Sequence, residues 1–255
     1  MSRAFTAEAL SVRVFDDAQS LARDAAADGA STIRQAIAAR GTANVMLATG
    51  NSQLEFLAVL VTHTDLDWSR VTAFHMDEYV DLPPTHTASF QRYMRERVAA
   101  RLPFKEFYYL NGDTGDAYRE AARYADVLRA HPLDLCCCGI GENGHLAFND
   151  PPVADFDDPL DVKVVELTAA SRRQQVAEGH FATIADVPAE AMTVTIPALL
   201  RAGRVLAIVP EARKAIPVRD ALQGPITTAC PASYLRRQPH AILYLDAESS
   251  SLLDV

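Results

Sequence analysis

Short apolar runs alternate with longer amphipathic stretches along almost the whole chain. The runs at 12–15 (VRVF), 44–48 (NVMLA), 71–76 (VTAFHM), 107–110, 133–140 (LDLCCCGI), 162–167, 205–209 and 241–245 read as strands, most of them buried. A further run at 192–196 alternates apolar with polar, which fits an edge or half-buried strand. Between the strands, apolar residues recur at helical spacing. Over 18–40, Leu21, Ala25, Ile33 and Ile37 form one face; Asp16 and Asp17 are placed to cap the start, and Gly41 ends it. Helices are also expected over 53–61, 90–100, 168–181 and 215–222, with Pro197 opening a short one. A helix over 116–130 would carry Tyr118, Ala122, Ala125 and Leu128 on one face. There is no internal repeat, low-complexity tract or linker. The expectation is α/β: one domain over 1–255, with a mostly parallel, doubly wound, Rossmann-like sheet flanked by helices.

Such sheets bind ligands outside the carboxyl ends of their strands, so polar groups there are the first candidates for chemistry. Four strand ends qualify. Thr49-Gly50-Asn51-Ser52 is a tight turn before a helix, able to cradle a phosphate with backbone N–H groups and the Ser52 hydroxyl, though a plain capping turn looks the same. Asp77 and Glu78 end the 71–76 strand; one carboxylate should face the crevice, where desolvation would raise its pKa and suit it to act as a base. The stretch GENGHLAFND follows an apolar strand and delivers His145 on a glycine-rich loop, with Asn143 and Asp150 near enough to orient its ring. PEARK supplies Lys214, and Arg172 is a second cation for an anionic ligand; either could equally be a solvated surface charge.

Composition narrows the classes. The 255 residues are 49% hydrophobic and 22% charged, enough for a substantial core. A net charge of −9 with no Lys/Arg cluster argues against a nucleic-acid surface. The N-terminal stretch lacks an apolar signal core, and no run approaches the ~18 apolar residues of a membrane span. The expectation is a cytoplasmic protein without a membrane partner. Cys136, Cys137 and Cys138 are consecutive in a strand and point to alternate faces, so they read as small buried residues of a reducing compartment rather than metal ligands. No Walker loop and no GxSxG elbow occur, and the spacing GIGENG is followed by a polar loop rather than a clean helix. No zinc-type spacing is present either, so neither metal nor organic cofactor is expected.

FHMDEYVDLPPTHTASFQRYM and GIGENGHLAFNDP together resemble the signatures of the glucosamine-6-phosphate deaminase family, xMDEYxGLPxxHxxSxxxxM and GxGxDGHIAFNEP, in the right order and distance. TGNS stands where that family has its phosphate loop. The resemblance implies a phosphorylated aminosugar substrate, converted with water to fructose-6-phosphate and ammonia. It implies that Asp77 is the base at C2, that His145 opens the sugar ring with Asn143 and Asp150 as its partners, and that Gly50, Asn51, Ser52 and Lys214 hold the phosphate. It leaves monomer and homo-oligomer both open. Three departures stand out. The aspartate of DGH is Asn143, which cannot carry charge. The glutamate of NEP is Asp150, one methylene shorter. The phosphate arginine of an NSRF segment falls near Ala177, leaving Arg172 or Arg173 as replacements. The segment VADFDDPLDV also lacks the cluster by which some members respond to an N-acetylated sugar phosphate, so no such activation is expected. Two other readings are a 6-phosphogluconolactonase, which shares the fold and a similar histidine loop, and a non-catalytic sugar-phosphate sensor.

Overall fold

Strand–helix alternation winds the chain around an eight-stranded sheet in the computed structural model, which describes residues 3–254. In chain order the strands are β1 (Arg3–Ala7), β2 (Leu10–Phe15), β3 (Ala43–Leu47), β4 (Val71–His75), β5 (Asp77–Tyr79), β6 (Glu106–Tyr108), β7 (Leu135–Cys138), β8 (Val162–Glu166), β9 (Glu190–Val194), β10 (Arg204–Val209) and β11 (Ala241–Asp246). The α-helices are α1 (Ala18–Arg40), α2 (Leu54–Leu60), α3 (Phe90–Arg97), α4 (Ala117–Ala130), α5 (Ala169–Ala177), α6 (Ile196–Leu200) and α7 (Ala215–Gln223).

The main sheet has the order β1-β2-β11-β10-β7-β3-β4-β6. All of its pairings are parallel except the β1–β2 hairpin. From β3 the chain steps outward through β4 to β6. It then returns to the far side of β3 as β7 and steps outward the other way through β10 and β11. The order therefore reverses between β3 and β7, and a crevice opens there at the carboxyl ends of the strands. The strands alternate their side chains between two cores. Val45, Leu47 and Cys137 face α1 and α2; Met46, Cys136 and Cys138 face the α4 and α7 side. All three cysteines of that run are buried and free, as their strand position predicts.

Helix α1 shows why these residues fold as they do. The Asp17 carboxylate accepts a 2.6 Å hydrogen bond from Ser20 N–H at its start, and Gly41 closes it in a left-handed conformation at φ 81°. Its buried face is small (Ala22, Ala25, Ala26, Gly29, Ala30), so the helix lies close on the sheet. A side chain at Gly29 would already touch Leu135 at 3.6 Å.

Two elements are added to those expected, and two expectations are corrected. Residues 3–7 pair as an edge strand; their half-exposed pattern carries little apolar signal. Beyond the end of β4, Asp77–Tyr79 enters a second, three-stranded antiparallel sheet of order β5-β9-β8. In that sheet β9 is central, and Ala191 to Val194 are buried rather than half-buried. On α4, Tyr118 is 72% exposed and Ala122 is also exposed; the inward face is Glu120, Ala121, Tyr124, Ala125 and Leu128. No helix among the described residues is long and apolar enough to cross a membrane.

Candidate active site

One cavity sits over the β3/β7 crevice and gathers the strand ends named from the sequence. Gly50, Asn51 and Ser52 come from the turn after β3, Asp77 from the β4–β5 junction, Gly141 and His145 from the loop after β7, and Lys214 from the turn after β10. Residues more than 100 positions apart meet because parallel strands bring all their carboxyl ends to one edge.

The phosphate-like turn is built by glycine. Gly50 has φ 102° and ψ 163°, a conformation open almost only to glycine. Its carbonyl accepts a hydrogen bond from the Tyr93 hydroxyl at 3.1 Å, tying the turn to α3. Gln53 is buried behind it, and its amide donates to Ser52 Oγ at 3.2 Å and to the Ile208 carbonyl at 3.0 Å. The Lys214 side chain is buried in the same cavity, and its ammonium makes no hydrogen bond among the described residues. Burial, with Arg213 alongside, pushes its pKa below the ordinary lysine value.

The two carboxylates of the MDEY segment have separate tasks. Glu78 is 1% exposed and accepts hydrogen bonds from the N–H groups of Tyr79, Phe90 and Gln91 and from the Ser89 hydroxyl, at 2.8–3.1 Å. It caps the N-terminus of α3, where unpaired N–H groups need an acceptor; burial outweighs these bonds and raises its pKa to about 7. Asp77 lines the cavity, and its carboxyl receives no hydrogen bond among the described residues. Burial first, then the neighbouring Glu78, push its pKa up to about 8.

Around His145 the loop is tightly specified. Nδ1 lies 2.7 Å from Asn143 Oδ1 and 3.0 Å from Asp150 Oδ1, both acceptors. The proton therefore sits on Nδ1 and leaves Nε2 as the atom available to a ligand. The Asn143 amide donates to Asp150 Oδ1 at 2.7 Å, and Ser171 Oγ donates to Asp150 Oδ2 at 2.6 Å. Burial raises the Asp150 pKa, but the bonds from His145, Asn143 and Ser171 outweigh it and hold the group below its ordinary range. The shorter side chain of Asp150 thus reaches the imidazole directly. Asn143 and Asp150 stand behind the histidine rather than on the cavity wall. Gly141 passes so close that a Cβ there would lie 2.1 Å from His145 Nε2.

Arg172 is turned away. Its guanidinium donates to the carbonyls of Ile184 at 2.7 Å and Val187 at 3.0 Å, so it ties down the segment after α5 instead of facing the cavity. Arg173 faces a neighbouring hollow beside Glu142 and Asn143. The helix expected to run to 181 stops at Ala177, because Gly179 takes a left-handed turn at φ 80°. That turn brings Glu178 and His180 to the cavity, together with Gln174 and Gln175 from the last turn of α5. Arg213, next to Lys214, lines it as well. None of these was singled out from the sequence. The glycine in AEGH was the available sign that the helix ends there. Among the described residues, no group of three or more His, Cys, Asp and Glu side chains could hold a metal ion.

Known proteins share both this fold and its sequence. A family model described as glucosamine-6-phosphate isomerases/6-phosphogluconolactonase matches residues 16–244. Relatives named glucosamine-6-phosphate deaminase from Bacillus thuringiensis (strain Al Hakam) and Bacillus cereus (strain AH820) are each 37% identical over 224 residues, 88% of this chain and 83% of theirs. Among solved structures, a monomeric glucosamine-6-phosphate deaminase superposes with a TM-score of 0.87 at 28% identity, over 95% of this chain and 99% of its own. A 6-phosphogluconolactonase from Shewanella baltica OS155 superposes with a TM-score of 0.78 at 20% identity, over 95% of this chain and 100% of its own, a likeness of fold alone.

Proposed function

The chain belongs to the glucosamine-6-phosphate isomerase/6-phosphogluconolactonase family, and from that premise we propose that it is a glucosamine-6-phosphate deaminase, turning that sugar and water into fructose-6-phosphate and ammonia. The observation that carries this reading is Asp77: a buried carboxyl on the cavity wall, without a hydrogen-bond donor among the described residues, poised near pH 8 and sharing its cavity with His145. A base left without partners can take a proton from carbon.

The chemistry follows from the groups present. The phosphate rests on the Gly50–Ser52 turn and Lys214. His145 Nε2 accepts the proton of the anomeric hydroxyl and returns a proton to the ring oxygen, opening the pyranose to the aldehyde. Nδ1–H stays on Asn143 and Asp150 and fixes the ring while Nε2 cycles. Asp77 then removes the C2 proton while the substrate ammonium passes a proton to O1, giving an enolamine, and Asp77 delivers its proton to C1. The C2 amine is now an iminium, and water adds to C2 and expels ammonia. Every proton taken up by Asp77 or His145 is returned, so each residue ends as it began.

Ammonia release from glucosamine-6-phosphate, with fructose-6-phosphate measured in parallel, tests this reading. The wild type should form both in equal amounts, and Asp77→Asn should lose about 10²- to 10⁴-fold in kcat. Hydrolysis of 6-phosphogluconolactone needs no base at carbon. Lactonase activity that survives Asp77→Asn, without ammonia release by the wild type, would replace this reading with the lactonase one. Tight sugar-phosphate binding without turnover of either substrate would replace it with the sensor.

A further inference from the structure

We propose that Arg213 is the arginine that grips the substrate phosphate, beside Lys214 and opposite the Gly50–Ser52 turn. The inference rests on the sugar-phosphate reading above and assigns the cation that Arg172 does not supply.

Among the described residues, Arg213 is the only arginine on the cavity wall. Lys214 is buried there, and a single desolvated ammonium does not balance a phosphate dianion. A guanidinium next to it adds planar donors that suit phosphate oxygens, while three carboxylates share its charge. The guanidinium is also held in advance. Nε donates to Glu211 Oε2 at 2.6 Å, and Nη1 donates to Glu142 Oε1 at 3.3 Å and to Glu178 Oε1. Nη2 makes no hydrogen bond among the described residues, so two N–H donors remain for a ligand. The three carboxylates come from three segments, the loop after β7, the end of α5 and the turn after β10, so Arg213 sits where those segments meet.

Two details mark the arrangement as built. Glu211 adopts φ 85° and ψ 142°, a conformation that glycine would take at little cost and that strains any other residue. The chain keeps a glutamate there, and its carboxylate lies on Arg213. Glu178 has a side chain only 11% exposed and also lies on the cavity wall. Left alone it would repel a phosphate. Although burial raises its pKa, His180, Gln174 and Arg213 bring it down to about 2, so it stays ionised and needs its partner. Arg213 thus has two functions: it neutralises Glu178 and turns its free edge to the incoming anion.

The test uses inorganic phosphate as well as substrate, so that it survives a failure of the deaminase reading. Phosphate binding is measured by calorimetry on the wild type, Arg213→Gln and Glu178→Gln, with melting temperatures recorded to confirm folding. Arg213→Gln should weaken phosphate about 10- to 100-fold and raise KM for glucosamine-6-phosphate by a similar factor, with kcat within about threefold. Glu178→Gln removes the opposing charge and should bind phosphate at least as tightly as the wild type. Unchanged phosphate affinity in Arg213→Gln would overturn the proposal. So would an equal loss in Glu178→Gln, since Arg213 would then be a strap between segments and not a ligand. If the wild type binds phosphate through Arg213 but releases no ammonia, the deaminase reading fails and this assignment stands.

Discussion

Asp77 and Glu78 are adjacent carboxylates with opposite surroundings, and hydrogen bonding separates them. Glu78 has four donors and caps a helix; Asp77 has none among the described residues and faces the cavity. The raised pKa of Asp77 has two consequences. A base must be unprotonated, so kcat/KM should rise with pH along a limb centred near 8, and that limb should vanish from the residual activity of Asp77→Asn. The second concerns stability. Unfolded, the group ionises near pH ~4; folded, it holds its proton up to about 8. Its contribution is therefore complete below the unfolded value and is lost as pH rises through the folded one. Asp77→Asn carries no such loss. Its melting temperature should gain on the wild type steadily between pH 5 and pH 9, corresponding to a few kcal/mol in order of magnitude. A constant gap across that range would mean that Asp77 is not desolvated.

At the scale of elements, the loop after β7 carries the densest requirements. Gly141 N–H donates to the His145 carbonyl at 2.9 Å, and Gly144 turns at φ 82° against Cys230. Gly141→Ala would drive a methyl group into the imidazole. It should lower kcat about 10²-fold or more by displacing Nε2, while circular dichroism and phosphate binding stay near wild type. Activity within threefold of wild type would show that the ring does not work from its present position. This loop was legible from sequence because its chemistry is local: glycines, a histidine and two polar partners within ten residues. Glu178 and Arg213 were not, because they meet only when α5 ends at Ala177, ahead of the Gly179 turn, and the turn after β10 brings Arg213 to Glu178. The face of α4 was misread for a local reason. Positions 121, 124, 125 and 128 share a face at helical spacing, and Tyr124 rather than Tyr118 is the ring that turns inward, its hydroxyl donating to the carbonyls of His75 and Tyr108. The strand at 77–79 was hidden because its partner, β9, lies more than 100 residues away.

Across the whole molecule, the reversal of strand order between β3 and β7 does the organising. It needs only the alternation of strands and helices, which is why the α/β architecture and the location of the cavity could be expected from hydrophobic pattern alone. The three-stranded sheet then adds a second wall, carrying Asp77 at one edge and running through β8 into α5. On the proposed reading, the base Asp77, the ring-opening His145 and the phosphate turn Gly50–Ser52 lie on separate elements. The central claim is that Asp77 takes a proton from C2 of an aminosugar phosphate. Glucosamine-6-phosphate carrying deuterium at C2 tests it most directly, with the label followed by NMR as ammonia is released. Wild type should lose the label from C2, to C1 or to water, in step with ammonia, whereas Asp77→Asn should bind the sugar and leave the label in place. Ammonia released with the label still on C2, or label lost from C2 in Asp77→Asn at the wild-type rate, would contradict the account.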